Sequence, residues 1–165
     1  MDTSKEYIEM CRKAVEVQEL WEPKMGDYIN RRYTLFGEEI DSGIWNERDR
    51  NEVIILTWAS SVEGYIHAIT EEGETRTYAT QNEGIKSTSI WLPRQDQLQD
   101  MIRNHHDCTR HNVRSAFYYW YKRDINKSGG VLETWTDERL WLAFVMHEKY
   151  GKKWDGNDWV ENKHP

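Results

Sequence analysis

Apolar residues recur at helical spacing near both ends of the chain and cluster into strand-like runs between them. At the start, Tyr7, Ile8, Cys11, Ala14, Val15 and Leu20 share one side of a helix predicted over residues 3–21. Thr3 and Glu6 form a Thr-x-x-Glu capping box, and Pro23 stops the helix. At the far end, Leu140, Trp141, Phe144, Val145 and Glu148 mark an inward stripe, leaving Arg139, His147 and Lys149 to face water. Thr134 or Thr136 caps this helix, Asp137 and Glu138 complement its dipole, and Gly151 supplies a left-handed end. Trp154-Asp155-Gly156 then predicts a tight turn before a short strand at Trp159-Val160.

The middle reads differently. A strand is expected from Tyr28 to about Phe36, after a turn at Lys24–Asp27, and residues 37–51 read as a polar surface loop into which Ile44 and Trp45 fold back. Val53–Trp58 is the strongest strand, with consecutive β-branched and apolar residues. Gly64–Thr70 and Thr75–Thr80 flank Glu71-Glu72-Gly73-Glu74 as a hairpin, and residues 81–89 read as loop. Pro93 is placed as the first residue of a short helix whose inner face is Leu98, Met101 and Ile102. Residues 103–114 read as a polar, His-rich connection, the aromatic run 116–123 as a strand, and 126–130 as a loop. The pattern predicts an α+β fold over residues 1–165 as a single domain. It would hold an antiparallel sheet with an N-terminal, a short central and a C-terminal helix.

Composition changes this picture in one respect. A mean hydropathy of −0.93 with 31% charged residues would point to disorder, but nine Trp and nine Tyr supply enough apolar area for a core. The net charge of −7 disfavours duplex DNA or an anionic membrane as partner. Cys11 and Cys108, far apart, fit reduced thiols rather than a disulfide framework. No apolar run reaches membrane-spanning length, so a soluble protein of the cytoplasm is expected.

Three constellations carry candidate chemistry. His105, His106, Cys108 and His111 offer zinc ligands, but their spacing matches no finger, and a polar connection with incidental histidines is favoured over a metal site. Around Pro93, exposed N–H groups with Arg94 and Gln95 could receive a small anion beside Trp91, although Asp96 already satisfies the helix dipole. The run Phe117–Tyr121 could present a stacking platform, with Tyr118 as its representative, against the simpler alternative that these rings are core. No catalytic signature accompanies them: there is no G-x-S-x-G, H-E-x-x-H, P-loop or G-x-G-x-x-G, and no cofactor is implied.

Three segments carry a resemblance. Leu20-Trp21-Glu22-Pro23-Lys24-x-Gly26-Asp27, Trp91-Leu92-Pro93-Arg94-Gln95-Asp96-Gln97-Leu98-Gln99 and the stretch Leu140–Gly156 resemble small proteins encoded by phages and prophages. The resemblance implies a viral or prophage gene acting in a bacterial cytoplasm and brings no catalytic residue. The expected function is therefore a non-enzymatic accessory module that binds a host or phage protein. The alternative is a protein that binds or sequesters a nucleotide-like ligand used in bacterial defence, through Trp91, Arg94, Gln95 and Tyr118.

Overall fold

The computed structural model describes residues 1–32, 51–60, 65–70, 73–79, 86, 89–106, 109–125 and 135–162. It has the expected α+β character, and its sheets are antiparallel. Two compact units divide the chain: Glu19–Leu92, and Met1–Gln18 with Pro93–Pro165.

The continuous unit is a five-stranded sheet. Its strands are β1 (Tyr28–Arg32), β2 (Asn51–Ser60), β3 (Tyr65–Thr70), β4 (Thr75–Ala79) and β5 (Ser89–Leu92), in the order β4-β3-β2-β1-β5. The best strand of the sequence extends beyond Val53–Trp58 at both ends and, with β1, forms the middle of the sheet. On one face Ile29 sits opposite both Ile54 and Trp91, and all three are buried. Trp21 packs parallel to Trp91, with ring centroids 6.2 Å apart and an interplanar angle of 7°. Asp27 fixes that tryptophan: its Oδ2 accepts from Trp21 Nε1 and from the Lys24 amide, each at 2.9 Å. The same turn enters the sheet, because Gly26 N–H donates to Leu56 O and Leu56 N–H to Asp27 O. The Trp-Glu-Pro-Lys-x-Gly-Asp segment thus has a structural task, the docking of Trp21 and the start of β1. The β3–β4 hairpin closes as expected, with Gly73 at φ 84°. Most of the loops expected at 37–51 and 81–89, and the end of the first strand, lie outside the described residues.

The discontinuous unit is built on helices. α1 (Lys5–Lys13) is capped by Ser4, whose Oγ accepts from the Tyr7 amide, rather than by the expected Thr3 box. Ala14, at φ −81° and ψ 64°, ends α1, and α2 (Val15–Glu19) starts a new register. That break explains why Val17 is buried while Val15 and Leu20, expected on the inner face of one continuous helix, are exposed. α3 (Gln95–His106) buries Leu98 and Ile102, as its periodicity requires. Pro93 is not its first residue: Trp91 and Leu92 are strand, and the helix starts after Arg94, whose carbonyl accepts from Leu98 N–H.

Two expectations fail together after α3. Residues 103–114 are not a polar connection and 116–123 are not a strand. α3 runs on to His106, α4 spans Arg110–Trp120, and a π-helical turn covers Tyr121–Ile125. Thr109 caps α4 by accepting from the Asn112 amide, and Val113, Phe117 and Trp120 then recur at spacings of four and three, which is a helical period. Aromatic β-propensity is outweighed by that period and by the ring contacts it permits.

α5 (Asp137–Tyr150) is the spine of this unit. Its ends are as expected: Thr136 Oγ1 accepts from the Arg139 amide, and Gly151 takes the left-handed C-terminal conformation at φ 62°. Its burial is wider than one stripe, since Leu140 to Met146 are all buried. α1, α3 and α4 all contact α5, so it is covered on several sides. Arg139, expected in water, is half-buried in a hydrogen-bond network instead. Asp2 Oδ2 accepts from Arg139 Nε at 2.8 Å and from Thr136 Oγ1 at 2.6 Å, and Asp2 Oδ1 accepts from the Ser4 amide. After α5, β6 (Lys152–Trp154) and β7 (Trp159–Glu161) form a hairpin through the predicted turn. Trp159 Nε1 donates to Met10 O, and Lys152 bonds Glu16, so the hairpin is tied to α1 and α2. No helix among the described residues is long and apolar enough to cross a membrane.

Candidate functional site

Of the four residues named for a ligand, Trp91 belongs to the sheet unit and Arg94, Gln95 and Tyr118 to the helical one. Trp91 is 5% exposed, and its ring is occupied by the stack with Trp21. Arg94 is held locally: its Nε and Nη2 donate to the two carboxylate oxygens of Asp96 at 3.0 and 3.2 Å. The Arg94 side-chain hydrogen bonds keep the Asp96 carboxyl below its ordinary pKa despite partial burial. The Arg94 amide donates to Gln97 Oε1 at 2.9 Å, so this helix start is capped from within. Gln95 is half-buried as the first residue of α3. An anion arriving here meets a guanidinium already paired in a two-pronged bond, which it would have to displace.

A small cleft lies between α3 and α4, lined by Asp96, Gln99, Asp100, Arg103 and Val113, with a volume of about 110 Å³. Arg103 is itself paired with Asp100 at 3.2 Å. Ligand pockets ordinarily measure roughly 300–1,000 Å³, so this cleft fits water or an ion but not a nucleotide. The zinc candidates are split between helices: His105 and His106 end α3, and His111 lies in the first turn of α4. His105 and His111 are exposed, while Cys108 lies outside the described residues. The other thiol, Cys11, is fully buried, and burial raises its pKa far from the range of a reactive thiolate.

Tyr118 is placed differently from the other three. α4 has two faces, and the aromatic run is divided between them. On the inner face Phe117 stacks on Trp141 with centroids 4.1 Å apart and 13° between planes, and meets Phe144 edge-on at 5.4 Å. Trp120 packs against Phe117 and Phe144 and is buried. On the outer face Tyr118 is 53% exposed and Tyr119 is 72% exposed. His111, Arg114 and Lys122 are exposed on the same side. Lys122 Nζ lies 5.0 Å from the Tyr118 ring centroid, and its hydrogen bond with the Tyr118 side chain raises its pKa above the ordinary lysine value.

The rings of the run 117–121 divide between the faces: Trp120 is buried, Phe117 and Tyr121 are half-buried, and Tyr118 and Tyr119 are exposed. Arg114 and Lys122 were not among the candidates from sequence, whereas Tyr119 lay within the run Phe117–Tyr121. The signal for the two cations is the i, i+4, i+8 spacing of Arg114, Tyr118 and Lys122, which brings each cation within one turn of the ring only once the segment is helical. No protein-family model matches the chain, and neither does any curated protein or solved structure.

Proposed function

We propose that this protein is a non-enzymatic binding module whose contact surface is the outer face of α4, and that it serves a phage or prophage as an accessory protein in the bacterial host. The observation that carries the reading is the exposure of Tyr118 and Tyr119 on a helix whose other face is locked by the Phe117–Trp141 stack. Rigidly presented tyrosines are economical binding groups. Each offers a large apolar ring and a hydroxyl while losing few torsions on contact, and tyrosine is enriched among the residues that dominate interface energies. Two adjacent rings on one helix also form a compact anchor of the kind found at the centre of protein interfaces.

The test is site-specific photocrosslinking in bacterial cells carrying the phage or prophage. Tyr119 is replaced by p-benzoylphenylalanine, which keeps an aromatic ring at the position. Lys153, exposed on β6, receives the same replacement as the control. The expected result is a protein adduct of defined mass from position 119 that disappears when Tyr118→Ala is added. Equal labelling from both positions, or none from 119, would overturn the assignment of this face as the contact surface.

A further inference from the structure

Resting on the assignment of α4 as the contact surface, we infer that this face receives an acidic segment of a partner protein. The apolar side chains of the segment would lie on Tyr118 and Tyr119, and its carboxylates would meet Arg114 and Lys122. Charge is the first argument. The chain carries a net charge of −7, yet residues 109–123 hold Arg110, Arg114, Lys122 and Arg123 and no acidic residue. This stretch, bounded by Asp107 and Asp124, is thus locally basic in an acidic chain, and basic patches select partners of the opposite sign.

The second argument is the state of the arginines. Arg12, Arg94, Arg103 and Arg139 are each held by a carboxylate of this chain. Arg114 is exposed and has no carboxylate partner among the described residues. An unengaged guanidinium offers two parallel donors to an incoming carboxylate without first breaking an internal pair.

Geometry supplies the third. Arg114, Tyr118 and Lys122 are four residues apart and follow one another along one side of the helical stretch, with Lys122 in the π-helical turn and its Nζ 5.0 Å from the Tyr118 ring centroid. That order, cation, ring, cation, matches a segment with an apolar residue between two acidic ones. A nucleic-acid strand is the weaker fit. Its binding sites combine a basic groove that tracks many phosphates with stacking rings, whereas this face is a convex helix with few cations on an acidic molecule.

The inference is tested by titrating the isotope-labelled full chain with three probes and following its amide resonances. The probes are a short peptide of glutamate and leucine, the same peptide with lysine for glutamate, and an oligothymidylate. The expected result is a response to the glutamate peptide concentrated at residues 111–122, with none to the lysine peptide. The pairs Arg114→Glu with Lys122→Glu, and Tyr118→Ala with Tyr119→Ala, should each weaken that binding by about tenfold or more. Arg114→Gln with Lys122→Gln is the milder charge variant and should weaken it in the same direction. Equal response to the lysine peptide, a response confined to other elements, no response, or tighter binding of oligothymidylate to α4 would each overturn the inference. A protein crosslink through position 119 combined with no response to the glutamate peptide would sink the acidic-partner inference alone. Loss of the crosslink would remove the contact surface itself.

Discussion

The residue that most changes its meaning between sequence and structure is Arg139. Read by periodicity it belongs in water, but its guanidinium donates to Asp2 Oδ2 and Ser4 Oγ, and reaches Glu6 at 3.1 Å. The Asp2 side chain is only 3% exposed, which sets the energetic stakes. Burial alone would raise its carboxyl pKa. Hydrogen bonds from Ser4 and Thr136 and the charge of Arg139 outweigh that burial and leave the pKa below its ordinary value. A depressed carboxyl stabilises the fold above its unfolded pKa of about 3.9, and the contribution is lost as pH falls through the lower folded value. Asp2→Asn should therefore cost about 1.5–3 kcal/mol at neutral pH, the range for hydrogen bonds to a charged group. The gap to the parent chain should close as pH falls toward 2 in urea-unfolding series. A gap that stays constant with pH would show that the carboxylate charge is not what Arg139 recognises. The pairing itself was hidden in the sequence because its partners are more than 130 positions apart, and spacing rules reach only a few residues along one element.

At the scale of elements, what could be read depended on whether local signals agreed. α5 was legible at both ends because cap, first-turn acids and terminal glycine all pointed to one helix. β2 and the β3–β4 hairpin were legible for the same reason. α4 was not, because aromatic β-propensity over 116–123 competed with the helical spacing of Val113, Phe117 and Trp120. The tie was broken by tertiary contact, since α4 sets Phe117 flat on Trp141 and edge-on to Phe144. That error also obscured the candidate surface: on a strand, Tyr118 and Tyr119 would point to opposite faces, and Arg114 and Lys122 would each stand about 13 Å along the strand from Tyr118. Two truncations on this helix should separate its faces. Phe117→Ala removes a half-buried ring stacked on Trp141 and should cost on the order of 1–3 kcal/mol, less than the range for a fully buried phenylalanine. Tyr119→Ala, on the outer face, should fall within about 0.5 kcal/mol of the parent. Denaturant midpoints measure both, and equal costs would place both rings in the core.

At the scale of the molecule, the helical unit is discontinuous, with its two parts at opposite ends of the chain and the sheet unit between them. Among the described residues, four ties join its two parts or the elements within them. Tyr7 Oη donates to Pro93 O at 2.6 Å, Trp159 Nε1 to Met10 O at 2.9 Å, Arg139 holds Asp2, and Lys152 bonds Glu16. None of these partners lies within Glu19–Leu92. Within this unit Tyr7, Met10, Leu98, Ile102, Leu142, Phe144 and Met146 are almost fully buried. Replacing residues 20–92 with a flexible glycine–serine linker should thus leave a chain that folds. Linker length is a minor term, because each doubling of a loop changes its closure entropy by only about 0.6 kcal/mol. The expected product has cooperative thermal unfolding, a helical circular dichroism spectrum and the parent's amide resonances over residues 137–150. It should also keep the α4 face and its response to the glutamate peptide. A collapsed or aggregated product would show instead that the sheet unit is needed to fold the helices, and that residues 1–165 act as one indivisible domain.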